Sequence, residues 1–124
     1  MKTQFNHIIW LLAGVLLLTF STSAMTNPQK KKMQTESFQV NGCCGDCKER
    51  IEDALDIKGI RYAHWNKETH ILTVTFNVNI ITLDEIHNKI AAVGHDTDLV
   101  KASDSAYNAL PDCCQYRGGK KCHH

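Results

Sequence analysis

The sequence predicts a single α+β domain in the order β-α-β-β-α-β, followed by a cysteine-containing tail. Three observations carry that prediction. Two helical patterns, one from Gly45 and one from Thr82, each collect apolar residues on one face. Between them lie two runs rich in β-branched and aromatic residues, Ile60–Trp65 and Ile71–Phe76, joined by the polar turn Asn66–Thr69. Short strand-like stretches flank the whole, Phe38–Asn41 in front and Thr97–Lys101 behind.

Ahead of the domain, Lys2 precedes an almost unbroken apolar run from Ile8 to Phe20, and Thr22-Ser23-Ala24 supplies small residues. The run falls short of the roughly 20 apolar residues that span a bilayer. Residues 1–24 are therefore expected to be a secretory signal peptide, which places the mature chain in the periplasm. The alternative is an uncleaved N-terminal anchor with the domain facing outward. Lys2 is the only formal charge in the leader, so the remainder carries thirteen basic and thirteen acidic groups. Such a balance argues against a nucleic-acid partner, which calls for a basic footprint. Residues 25–35 are polar and aperiodic and read as a linker, with Lys30-Lys31-Lys32 as a solvated charge run.

Each element has a local reason. The first helix, from Gly45 or Asp46 to about Ile57, stacks Cys47, Ile51, Ala54 and Leu55 on one side, and Gly59 interrupts the pattern. Thr82-Leu83-Asp84-Glu85 forms a capping box that opens the second helix. Its core face is Ile86, Ile90 and Val93, and Gly94 ends it. His87 falls on its polar side, and His64 and His70 lie in the hairpin as surface or half-buried residues. Tyr62, Trp65 and Phe76 read as packing aromatics. The order is the split βαβ, ferredoxin-like arrangement: a four-stranded antiparallel sheet with both helices on one face. That topology brings the loop before the first helix, the Asn66–Thr69 hairpin and the His95–Asp96 loop to one edge.

The cysteines fall into two clusters, Cys43/Cys44/Cys47 and Cys113/Cys114/Cys122. Six cysteines in an exported chain first suggest disulfides, in any of about 15 full pairings. Adjacent cysteines bridge to one another only with strain, and crowded thiols near histidines fit ligands better. Cys44-Gly45-Asp46-Cys47 sits where a strand ends and a helix begins. The unpaired N–H groups and positive dipole of a first helical turn favour thiolates, and thiolates take soft metals. The same C-x-x-C also serves redox dithiols.

The run Cys44-Gly45-Asp46-Cys47-Lys48-Glu49-Arg50-Ile51-Glu52-Asp53-Ala54-Leu55, then Gly59-Ile60, Ile71-Leu72-Thr73-Val74, Leu83-Asp84-Glu85-Ile86 and Ala91-Ala92-Val93-Gly94-His95, resembles the heavy-metal-associated domain family. That family includes copper chaperones, modules of metal-pumping ATPases and the periplasmic mercury-binding protein. The resemblance covers residues 36–101, leaving 102–124 as the Cys/His-containing tail. It implies that Cys44 and Cys47 bind a soft ion and pass it on by ligand exchange. The ion is Cu(I) in the first instance, with Hg(II), or Zn(II)/Cd(II) if more ligands join, as alternatives. The implied partner is a metal-transporting membrane protein or another thiolate metal-binding domain, met as a monomer or a metal-bridged dimer. Two departures stand out. Gly42 replaces the methionine that family members usually pack under the loop, leaving the loop without that anchor. His95 stands where relatives place an aromatic residue or a lysine, and a neutral imidazole is a candidate ligand.

Cys43, adjacent to the motif, and Cys113 and Cys114 in the tail are further candidate ligands, and Cys122-His123-His124 a weaker one. Tyr107, Leu110 and Tyr116 are apolar enough to dock the tail on the domain, with the open face of the sheet as its expected seat. Docking would carry Cys113 and Cys114 toward Cys44 and Cys47. Otherwise the tail is a flexible arm or forms a disulfide with Cys43. No serine–histidine–acid set or phosphate loop is present, so no catalytic residues and no enzyme activity are expected. The competing class is a thiol–disulfide oxidoreductase built on the C-x-x-C. Such enzymes use a cis-proline facing the dithiol, whereas Pro28 and Pro111 both lie outside the compact unit.

Overall fold

The computed structural model describes residues 32–119. The proposed leader, most of the proposed linker and Cys122-His123-His124 lie outside these residues. Three strands, β1 (Met33–Gln39), β2 (Ile60–Trp65) and β3 (Ile71–Asn77), form an antiparallel sheet in the order β1-β3-β2. Helix α1 (Gly45–Asp53) follows β1, and α2 (Leu83–Ala92) follows β3. The tail contains a short helix, α3 (Asp104–Asn108), and 3₁₀ turns at Asp112–Cys114 and Arg117–Gly119. Among the described residues, no helix is long and apolar enough to cross a membrane.

Strand β1 begins at Met33, inside the stretch read as linker. Its polar residues pair along the whole length of β3, from Met33 opposite Asn77 to Gln39 opposite Ile71. On the open face this pairing is a hydroxyl ladder: Thr35 Oγ1 lies 2.8 Å from Thr75 Oγ1, and Ser37 Oγ 3.0 Å from Thr73 Oγ1. The lack of apolar alternation reflects an edge strand that is exposed along most of its length and buries only Phe38, not a linker.

The expected fourth strand over Thr97–Lys101 does not form. A single bridge, Val40 to Thr97, stands in its place, flanked by Asn41 N–H to Asp96 O and Asp98 N–H to Gln39 O. Local bonding ends the ladder there. Thr97 Oγ1 accepts the N–H groups of Leu99 and Val100, Thr97 N–H donates to Val100 O, and Asp96 Oδ1 accepts from Ala102 N–H. Side-chain acceptors of this kind offer the backbone a turn in place of a strand.

Under the sheet's other face lies the core: Phe38, Leu72, Val74 and Phe76 from the strands and Val40 just after β1, with Ile51 from α1, Leu55 from the turn that follows it, and Ile86 and Ile90 from α2. Helix α1 ends at Asp53, a turn earlier than its periodicity suggests. Leu55 N–H and Asp56 N–H bond three residues back, so the chain tightens before Gly59 while Leu55 stays buried. The capping box on α2 is complete: Thr82 Oγ1 accepts from Glu85 N–H, and the Glu85 carboxylate accepts from Thr82 N–H. That bonding also holds the Glu85 carboxyl below its ordinary pKa.

His87 departs from the expected surface placement. It is 1% exposed, its ring lies 3.9 Å from that of Phe38, and its Nδ1 is 2.8 Å from Thr97 Oγ1. Burial lowers its pKa, so it is held as a neutral core residue. A histidine can fill an interior position when one nitrogen finds a hydroxyl.

Candidate metal centre

Cys44 is the N-cap of α1, with extended backbone, and Cys47 lies in the first turn above the core. Their sulfurs are 3.3 Å apart. Cys43 N–H donates to Cys47 Sγ at 3.3 Å, which fixes that sulfur against the loop backbone. Both residues are buried, Cys47 completely.

The loop is not left unanchored by Gly42. A Cβ at that position would lie 3.0 Å from Trp65 Cζ2 and 3.2 Å from Cys47 Cβ. The Trp65 indole occupies the space beneath the loop, fully buried, with Nε1–H donating to Val40 O at 3.0 Å. Backbone approaches this closely only where a side chain is missing. Glycine and tryptophan here divide between them the work expected of one methionine.

The predicted edge assembles as the topology requires. His70 O accepts from Val40 N–H and Asp96 O from Asn41 N–H, so the hairpin and the His95–Asp96 loop both abut the cysteine loop. His95 itself does not turn toward the sulfurs. Its Nδ1 is 2.8 Å from Asn41 O, its ring stacks on Tyr116 at 5.7 Å, and it joins neither set of ligand atoms gathered at the cysteines. It is fully buried, with Nε2 lacking a protein partner, and burial lowers its pKa. His95 is a platform for the tail.

The tail docks on this end of the domain and not on the open face of the sheet, which offers hydroxyls where an apolar segment needs apolar cover. Gly94, at φ 98°, leaves room for it: a Cβ there would lie 2.8 Å from Leu110 Cγ and from Ala106 O. Tyr116 O–H donates to Gly94 O at 3.0 Å and accepts from Asp96 N–H at 2.7 Å. Arg117 grips Asp96 through two nitrogens, at 2.7 and 3.1 Å, and also donates to Ala102 O and Asp104. Its guanidinium lies 4.3 Å from the centre of the Tyr107 ring. Neither Asp96 nor Arg117 carries a signal in the sequence beyond being an acid beside His95 and a base next to Tyr116.

This docking carries the second thiol cluster to the first. Cys114 Sγ lies 3.5 Å from Cys44 Sγ and 3.9 Å from Cys113 Sγ, and Cys113 Sγ lies 3.4 Å from an Asp46 carboxylate oxygen. Two sets of sulfurs result, Cys43/Cys44/Cys47 and Cys44/Cys113/Cys114, each within 4.8 Å of one another and sharing Cys44. Cys43 is disulfide-bonded in this form, and its sulfur rests 3.1 Å from Cys113 O. Cys44, Cys47, Cys113 and Cys114 are free thiols.

Their acidities differ with their surroundings. Burial works against the Cys44 thiolate, but the N–H groups of Cys47 and Asp46 and the Cys47 and Cys114 thiols outweigh it, and its pKa falls. For Cys47 burial prevails over the Cys43 N–H, and the pKa rises. Burial pushes Cys114 up furthest, helped by the adjacent Cys47 and Cys44 sulfurs. Cys113 rises mainly because its thiol donates to Asp46. Cys44 is thus the sulfur readiest to ionise and to open an attack on a soft cation.

Comparison with known proteins agrees with this geometry. Residues 37–96 match the model of the heavy-metal-associated domain. The N-terminal domain of a potential copper-translocating P-type ATPase from Bacillus subtilis, in its Cu(I)-loaded state, is 25% identical, with a TM-score of 0.52 over 60% of this chain and 96% of that one. A CopZ metallochaperone is 29% identical, with a TM-score of 0.50 over 52% of this chain and 98% of that one. Oxidised MerP from Ralstonia metallidurans CH34, 22% identical with a TM-score of 0.51 over 54% and 96%, shares the fold. No curated protein matches the chain. With the family match at residues 37–96 and two thiols at the mouth of its first helix, this stretch of the chain is a heavy-metal-associated domain.

Proposed function

We propose that this protein takes up a soft cation, Cu(I) first and Hg(II) as the alternative, between Cys44 and Cys47, and passes it to another thiolate site outside the cytoplasm. The observation that carries the reading is the pair of free sulfurs 3.3 Å apart at the start of α1, with Cys44 the more acidic. Sulfurs around a metal held at about 2.3 Å stand about 3.8 Å apart in a tetrahedron and farther in flatter arrangements. A small opening of the pair is enough for an ion to enter. The copper bound by the B. subtilis ATPase domain favours Cu(I). The apolar run at Ile8–Phe20 favours export, and the receiving partner on this reading is a metal-transporting membrane protein or a second thiolate domain.

Transfer proceeds by associative exchange. A partner thiolate bonds to the ion while Cys44 and Cys47 still hold it, and the Cys–metal bonds then break one at a time. The ion's charge and valence stay the same throughout, and it is never released to water.

Anaerobic Cu(I) titration of the reduced protein, with native mass spectrometry counting ions, tests the reading. One ion per chain is expected, lost in Cys44→Ser/Cys47→Ser. Retained binding in that double variant, or insulin reduction above background without Cu(I) binding, would overturn it in favour of a dithiol oxidoreductase.

A further inference from the structure

Cys114 is fully buried, yet it lies on a tail outside the heavy-metal-associated domain, 3.5 Å from the sulfur of Cys44. Ordinary packing explains a buried thiol against hydrocarbon. It does not explain four free thiols from two segments 70 residues apart converging at one point. The convergence is also built: the Cys114 N–H is fixed to Pro111 O at 2.8 Å, and beyond it Tyr116 and Arg117 bond to Gly94 and Asp96.

We infer that Cys114 is the third sulfur of the metal site, joining Cys44 and Cys47 to give three-coordinate sulfur ligation, with the segment from Tyr107 to Arg117 as the latch that holds it there. The inference rests on the cation reading above and adds the coordination number and its control. Cys113 shares a set with Cys44 and Cys114 but is the poorer third ligand: it is half-buried and its thiol donates to the Asp46 carboxylate, whereas Cys114 is fully buried and faces Cys44. The sulfur spacings already present, 3.3 Å from Cys44 to Cys47 and 3.5 Å from Cys44 to Cys114, lie slightly inside those needed around an ion. Ion uptake therefore spreads these two contacts, while Cys47 and Cys114, which stand in different sets on either side of Cys44, close on the ion. Cys44 is the shared ligand, central to both contacts.

A third sulfur changes delivery as well as affinity. With two ligands the ion leaves one side open to an incoming thiolate. With Cys114 in place that side is closed by the chain's own tail, and the partner's sulfur must displace Cys114 before it can displace Cys44 or Cys47. The latch is the step that retains cargo until a competing thiolate arrives.

X-ray absorption on the full chain carrying one equivalent of Cu(I), under anaerobic conditions, reads the ligand number directly. Three sulfurs are expected in the unaltered protein and in Cys113→Ser, and two in Cys114→Ser, all at one ion per chain. Transfer to a competing dithiol is expected at least ~10-fold faster in Cys114→Ser, since disturbing even the outer shell of a metal site costs that much. Alkylation of the Cu(I)-loaded unaltered protein supplies a check that no variant's folding can spoil: Cys44, Cys47 and Cys114 are protected while Cys113 reacts. Two sulfurs in the unaltered protein, or Cys114 alkylated as fast as Cys113, overturns the inference and leaves the two-cysteine reading standing. Cu(I) binding that survives Cys44→Ser/Cys47→Ser overturns both.

Discussion

Cys44 and Cys47 stand on a loop wedged over the hydrophobic core, whereas Cys113 and Cys114 stand on a segment tied down by hydrogen bonds and a partly buried ion pair. The loop is positioned by mass. Trp65 fills the space under Gly42, Ile51 and Leu55 anchor α1 below, and the Trp65 indole N–H secures Val40 at the end of the strand's run. The tail has Leu110 and the ring faces of Tyr107 and Tyr116 for apolar cover, and the rest of its hold comes from Arg117, Asp96 and the Tyr116 hydroxyl. Packing energy is insensitive to pH and salt, whereas an ion pair responds to both. The same cluster of sulfurs therefore has a rigid half and a releasable half.

Removing the wedge should have the largest effect. Trp65→Ala is expected to cost about 3–5 kcal/mol by opening a cavity beneath the loop, measured by urea unfolding. Cu(I) binding should fall with it, because the cavity also frees the Gly42–Cys44 backbone. Full stability in this variant would mean that the loop is held by something other than the indole.

Cutting the strap should release only the tail. Arg117→Ala is expected to raise Cys114 alkylation in the metal-free protein about tenfold, the equivalent of one charged hydrogen bond, with the denaturation midpoint of the domain nearly unchanged. Acid should mimic it. Burial raises the Asp96 pKa, but Arg117 and the Ala102 N–H outweigh it, so the folded carboxyl lies below its ordinary value. Its contribution is present above the unfolded value near 3.9 and is lost as pH falls through the lower, folded one. Tail release should thus begin below about pH 4, in the unaltered chain and not in Arg117→Ala. Asp104, Tyr116 and the ring of Tyr107 also face that guanidinium.

The smallest effect should come from the end of the molecule remote from the sulfurs. Thr82→Ala removes the cap of α2 and is expected to cost about 1 kcal/mol while leaving Cu(I) stoichiometry and Cys114 reactivity unchanged. A loss of metal binding there would break the separation between cluster and scaffold.

Elements that depend only on neighbouring residues are legible in the chain alone. The Asn66–Thr69 turn, the Thr82–Glu85 capping box, the strand over Ile60–Trp65 and the C-x-x-C at a helix start all follow from short-range pattern. Where a residue's role depends on something far along the chain, the folded molecule is needed to reveal it. Polar β1 is a strand because β3 pairs with it, and His87 is interior because Thr97 meets its ring. Thr97 ends the sheet instead of extending it because its hydroxyl captures the amides of Leu99 and Val100, and His95 supports the tail because Tyr116 stacks on it. Gly42 is close-packed because Trp65 arrives from another strand. The meeting of Cys114 with Cys44 belongs to this second kind. Thiol spacing in sequence carries no record of a 70-residue return, and that return is set by where Leu110, Tyr116 and Arg117 find surfaces that satisfy them.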